Sequence, residues 1–223
     1  GNIDTLNRRQ VAACALPGSN KGVCMQTSAT EMGIFQAILA RRSVRSYTQQ
    51  EVPQHCIMTL LAGAVRAPAV MHEEPCAFVV IQNRTLLQAL SAEAGALTMA
   101  QQDLFINGNG HGNGRRMEAD ANLFHDAGTL IIICARTDSP FAEANCWLAA
   151  ENLMLAACGM QLGSCIIGAA LPAMQSAELK AKFGIPPQFE AMVPIVLGWP
   201  RGETRAVPRK SPVLLKVITS LAA

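Results

Sequence analysis

The segment Thr129 to Ala135, Thr-Leu-Ile-Ile-Ile-Cys-Ala, carries no polar side chain after its first position except a thiol, and so reads as a core strand. Ser139-Pro140 then opens what reads as the longest helix of the chain, running to about Met160 and apolar nearly all round. A helix without a polar face must be central in the fold or shared with a partner subunit. Of 223 residues, half are hydrophobic and 15% are charged, enough for one domain to bury a large core without disulfides or metal. The formal net charge of +2 points to neither nucleic acid nor an acidic membrane as the main partner.

The remaining pattern mixes helices and strands. Helices are expected over Glu31–Arg41 and Gln54–Arg66, the second behind Pro53. Ala77-Phe78-Val79-Val80-Ile81 reads as a buried strand, followed by a helix through Leu86-Leu87-Gln88-Ala89-Leu90. Further along, Cys165–Ala169 is expected as a short strand, Ala173–Phe183 as a helix and Ala191–Leu197 as the last strand. The run Asn107-Gly-Asn-Gly-His-Gly-Asn-Gly114 reads as a flexible loop, either a lid or a plain connector. The tail from Arg201 is Pro-rich and basic and has no core of its own, so it gains order by lying on something else.

Eight cysteines lack the close C-x2-C spacing of zinc ribbons or thioredoxin-like motifs, and most read as reduced core residues in a cytoplasmic protein. Cys76 and Cys165 are the two candidates for a reactive thiol. No segment is apolar for the roughly 20 residues that a membrane helix needs, and Phe141–Gly159 carries Glu143, Glu151 and Asn152. Glu151 and Asn152 are expected to be satisfied across a helix or subunit contact. Neither His111 nor His125 has a ligand partner at helical spacing, so no metal site is expected. Residues 1–31 read as a poorly packed N-terminal extension, with Met25 or Met32 as plausible natural starts.

Chemistry concentrates in Arg41-Arg42-Ser43-Val44-Arg45, behind the first helix. Guanidinium meets phosphate oxygens two at a time in a fixed fork, and a hydroxyl can complete the anion's shell. The competing reading is a basic helix end that complements the carbonyl dipoles.

Four stretches in order narrow the choice. They are Ala40 to Tyr47; Ala67-Pro68 with Pro75 and Phe78; Gly159-Met160-Gln161-Leu162-Gly163-Ser164; and Val196-Leu197-Gly198-Trp199-Pro200 ahead of Pro208-Arg209. Together they resemble the nitroreductase family of flavin enzymes over about Met32 to Pro212. The resemblance implies an α+β fold, a three-layer sandwich with a central mixed or antiparallel sheet flanked by helices. Residues 32–223 would form the single domain, with the C-terminal tail reaching the partner of a homodimer. It also implies FMN as cofactor, with NADH or NADPH as electron donor and a small planar acceptor such as a nitroaromatic or quinone.

Carried over by position, Arg41, Arg42, Ser43 and Arg45 would contact the FMN phosphate, ribityl chain or pyrimidine edge, and Arg209 the phosphate. Pro68, Ala69, Val70 and His72 would belong to the second cofactor-binding stretch, and Ile167 with Gly168 to the backbone facing flavin N5. No acid or base residue is obligatory for such chemistry. The second stretch departs from the family's usual Ser, Asn, Gln and Trp, having Ala69, His72, Glu74 and Cys76 instead. Neutral His72 keeps one donor and one acceptor nitrogen, whereas ionised Glu74 only accepts and would face an arginine or solvent. Cys76 removes aromatic packing area. These departures motivate an alternative of another class, a non-catalytic protein of the same fold that binds, stores or senses flavin.

Overall fold

The computed structural model describes residues 32–69, 76–107, 122–138 and 140–219. The expected extension over residues 1–31, the sequence from 108 to 114 and the positions Val70, His72, Glu74 and Pro75 lie outside them.

The apolar run at 129–135 becomes β2 (Thr129–Arg136), flanked by β1 (Ala77–Ile81) and β4 (Phe189–Gly198), with β3 (Gly163–Ile166) beyond β4. All pairings in this four-stranded sheet, ordered β1-β2-β4-β3, are antiparallel. Successive side chains on a strand face opposite ways. Leu130, Ile132 and Cys134 accordingly enter one core, and Ile131, Ile133 and Ala135 the other. An antiparallel sheet often leaves one face wet and then alternates polar with apolar. Here both faces are covered, which is why β2 has no polar alternation to show.

One cover consists of α2 (Gln54–Ala64) and α4 (Ala142–Gly159), contributing Ile57, Leu60, Ala150 and Leu153 among others. The other consists of α3 (Arg84–Asn107), a 3-10 turn at Gly168–Ala170 and α5 (Leu171–Met174), contributing Leu87, Leu90, Ala170 and Met174. The result is the three-layer α+β arrangement. In α4, Ala142, Cys146, Ala149, Ala150, Leu153 and Ala157 are buried, while Trp147 and Leu148 remain exposed.

Several expected boundaries move. The helix expected over Glu31–Arg41 is α1, Ile34–Ala40, and Arg41 leaves helical geometry at ψ 133°. Among the described residues the longest helix is α3 with 24 residues, not α4 with 18. Ala, Leu and Gln favour the helix throughout α3, yet its apolar positions are too evenly spread to reveal its length. α4 starts only at Ala142, because Pro140 and Phe141 form the turn before it. The helix expected over Ala173–Phe183 is two: α5, and α6 (Ala177–Lys182), which starts afresh where the Ser176 hydroxyl accepts from Leu179 N at 3.2 Å. The expected Cys165–Ala169 strand runs two residues earlier and ends at Ile166; Ile167 turns out of the sheet, its N–H held by Pro194 O at 2.9 Å. In β4 the register moves by one between Ile133 and Cys134, which leaves Met192 unopposed in a bulge.

Candidate functional site

The arginine-rich stretch follows α1 as extended chain laid across the ends of β3 and β4. Val44 N donates to Ser164 O at 3.0 Å, Thr48 N to Trp199 O at 2.8 Å, and Arg201 N to Ser46 O at 2.9 Å. Ser43 and Ser164 form a parallel bridge, and Tyr47 an antiparallel one with Pro200. Two glycines permit this close approach. A β-carbon at Gly163 would lie 2.8 Å from Val44 Cβ, and one at Gly198 would lie 2.8 Å from Tyr47 Cδ1. Tyr47 is fully buried, its hydroxyl donates to Val44 O at 2.7 Å, and burial raises its phenol far above the ordinary range.

Arg41, Ser43 and Arg45 each influence the Cys165 thiol of β3. Burial pushes that thiol up, while Arg45, a hydrogen bond with Ser43 and the charge of Arg41 draw it back. The chain continues from there through Ile166 and buried Ile167 to Gly168, which is exposed with open space over its Cα. Arg45 also bears on His125, whose pKa is lowered by burial first and by Arg45 second, against an upward pull from Asp126. Among the described residues Arg45 has no carboxylate at ion-pair distance. Arg41 has a loose one, Glu151 of α4, with Nε 3.9 Å from Oε1 and the carboxylate half exposed. Such a pair in water is weak, so both guanidinium groups can turn to an incoming anion.

Arg42 takes the other role that sequence allowed. Its Nη1 donates to Leu39 O at 2.6 Å and Arg41 O at 2.8 Å, so it caps the carbonyl end of α1. Beside it opens a cavity of about 360 Å³, lined by Arg41, Arg42, Gln161, Ser164, Glu203 and Thr204 among others. Gln161 is a member that sequence reasoning quoted without assigning a role. Leu162 N bonds Ala157 O and Gln161 N bonds Cys158 O, the closing bonds of a helix end that ordinarily has glycine in the left-handed position. Gln161 occupies it at φ 62°. A non-glycine residue held there at the rim of a cavity is the kind of strain that gathers at binding sites.

The other expected residues are placed less centrally. Pro68 is exposed and Ala69 half-buried just beyond α2, and Val70 and His72 fall outside the described residues. Arg209 belongs to the tail 201–219, exposed throughout, and among the described residues no hydrogen bond or ion pair joins it to the arginine stretch. Asn152 Nδ2 donates to Gly63 O of α2 at 3.3 Å, the contact across helices that was expected, whereas Glu151 has its loose pair with Arg41 just beyond α1.

A doubly covered antiparallel sheet, with a basic strap crossing its strand ends beside a cavity, defines an α+β protein. The nitroreductase family model matches residues 38–199, and the chain belongs to that family. It is 26% identical over 176 residues to a protein of Methanothermobacter thermautotrophicus provisionally named NADH dehydrogenase/NAD(P)H nitroreductase, covering 77% of this chain and 79% of that one. A nitroreductase with bound FMN from Bacteroides fragilis superposes with a TM-score of 0.65 at 24% identity, over 85% of this chain and 98% of that one. Oxidized iodotyrosine deiodinase bound to FMN and 3-iodo-L-tyrosine gives 0.69 at 19% identity, over 82% and 97%. The fold is thus the nitroreductase fold. Among the described residues no helix is long and apolar enough to cross a membrane.

Proposed function

We propose that this protein is a cytoplasmic FMN-dependent oxidoreductase that passes electrons in pairs from NADH or NADPH to a small planar acceptor, a nitroaromatic or quinone. The observation that carries the reading is the arginine strap bridged at Ser43 to Ser164 of β3, beside the cavity lined by Arg41 and Arg42 and four residues ahead of exposed Gly168. This donor set suits FMN: two weakly engaged guanidinium groups and a hydroxyl for a phosphate or a polar ring edge, and open backbone at Gly168 for the flat ring system. When bound, FMN supplies the two-electron redox chemistry. The chain's own residues bind and orient. Arg41, Ser43 and Arg45 hold the polar parts of the cofactor, Arg42 keeps the end of α1 in place for them, and Arg209 is brought in by the tail.

The reading includes a homodimer. Phe35 and Leu39 of α1 are 78% and 74% exposed, and Leu214 and Leu215 of the tail 75% and 94%. A second subunit covers such surfaces economically. Light scattering at twice the chain mass is expected; a monomer at working concentration would oppose it.

The test of the main reading is the visible spectrum of the purified protein, with the released chromophore identified by mass. FMN near one per chain, reduced on addition of NADH or NADPH and reoxidised by a quinone, is the expected outcome. A protein that stays colourless after incubation with FMN overturns the reading. One that holds FMN but does not turn over is the flavin-binding alternative.

A further inference from the structure

Cys146, in the second turn of α4, directs its thiol at Cys76, the residue just before β1, with the sulfurs 3.3 Å apart. Both are free thiols. They differ in burial: Cys146 is 0% exposed, whereas Cys76 is only partly buried. They differ in chemistry too. The Cys146 S–H donates to the Cys76 sulfur, which lowers the Cys76 pKa, and the same bond together with burial raises Cys146. A partly exposed thiol of lowered pKa, backed by a buried thiol at contact distance, is the arrangement of an attacking and a resolving cysteine.

The third sulfur of the neighbourhood does not compete. Cys134 lies opposite Ala77 in the β1–β2 register, is 1% exposed, and is pushed by burial to about 11. It stays a thiol behind the pair.

We propose that Cys76 and Cys146 are a redox-responsive modification site, converted to an intramolecular disulfide by a low-molecular-weight organic disulfide. The Cys76 thiolate attacks one sulfur of the reagent, the reagent's S–S bond breaks, and one thiolate leaves with the proton that Cys76 gave up. The Cys146 sulfur then attacks the Cys76 sulfur of the mixed disulfide and expels the second reagent thiol, which takes the Cys146 proton. Two protein thiols are oxidised and one disulfide is reduced to two thiols. Closing the pair shortens the sulfur separation to about 2.05 Å, a small movement from 3.3 Å. Burial of Cys146 keeps a second reagent molecule from it, so the mixed disulfide resolves internally. The resulting bond ties the start of β1 to α4 across 70 positions of sequence.

The test is incubation of the purified protein with oxidised glutathione, followed by proteolysis without reductant and mass spectrometry. The expected product is a peptide containing Cys76 linked to one containing Cys146, lost on treatment with dithiothreitol. Cys146→Ser should leave Cys76 carrying glutathione, and Cys76→Ser should leave Cys146 unmodified. Should Cys146→Ser fail to fold, the wild-type map and Cys76→Ser still decide. In the wild type, an unreacted Cys76, a lasting glutathione adduct on it, or its pairing with another cysteine overturns the proposal.

Discussion

Tyr47 lies so close over Gly198 that a β-carbon there would stand 2.8 Å from its ring. The contact holds the strap 43–48 against the sheet, and the tyrosine is too tightly buried to step aside. Gly198→Ala should therefore cost about 1–3 kcal/mol, the usual range for overpacking. It should also lower FMN content, because the displaced strap carries Ser43 and Arg45. Urea denaturation alongside flavin quantification checks both; an unchanged midpoint would show that the strap can lift.

Arg45 has no competing carboxylate among the described residues, so its charge is available to a bound anion. A hydrogen bond to a charged group is worth about 1.5–3 kcal/mol. Arg45→Ala should weaken FMN binding by roughly 10- to 100-fold without changing the thermal midpoint of the apoprotein by much. Titration of flavin fluorescence measures it, and wild-type affinity in the variant would remove Arg45 from the site.

His125 resists protonation, because it is partly buried and near Arg45, despite help from Asp126. Its folded pKa lies below the ordinary 6.5, so the unfolded chain takes up the proton first as pH falls. The stability it contributes is complete above 6.5 and declines as pH drops from there through the lower folded value. His125→Asn suits the left-handed backbone at φ 53° and should flatten that part of the stability–pH curve. Chemical denaturation at a series of pH values separates the two chains.

Gln161 occupies the left-handed position that closes α4. Relieving it with Gln161→Gly should raise stability by up to about 1 kcal/mol, while removing a side chain from the cavity rim. The informative result is the combination: a higher melting temperature with weaker ligand or substrate binding. A gain in stability with binding intact would make the strain purely structural.

Much of this was readable from residue order. β1 appears at the expected residues, but not as the buried strand expected: it lies at the sheet edge, with Ile81 buried and Val80 exposed. The arginine cluster stood out by charge alone. The division of labour within it was not readable, since it arises from contacts distant in sequence. Arg42 turns back to Leu39 O, while Arg41, Ser43 and Arg45 bear on Cys165 only because the strap bridges to Ser164. The length of α3 stayed hidden because its helical preference is spread over Ala, Leu and Gln without a sharp stripe. Ile167 leaving the sheet also depends on a long-range partner, Pro194 O.

The order β1-β2-β4-β3 makes β3 a margin of the sheet, and the bridge from Ser43 runs along that margin. A bare strand edge offers unpaired N–H and C=O groups on which another chain can template. The strap thus serves as a guard rail, whatever the arginines it carries bind. Substitutions that loosen it should be expected to reveal themselves twice, as pale protein and as precipitate, because the backbone that presents the arginines also keeps one molecule's sheet from growing into the next.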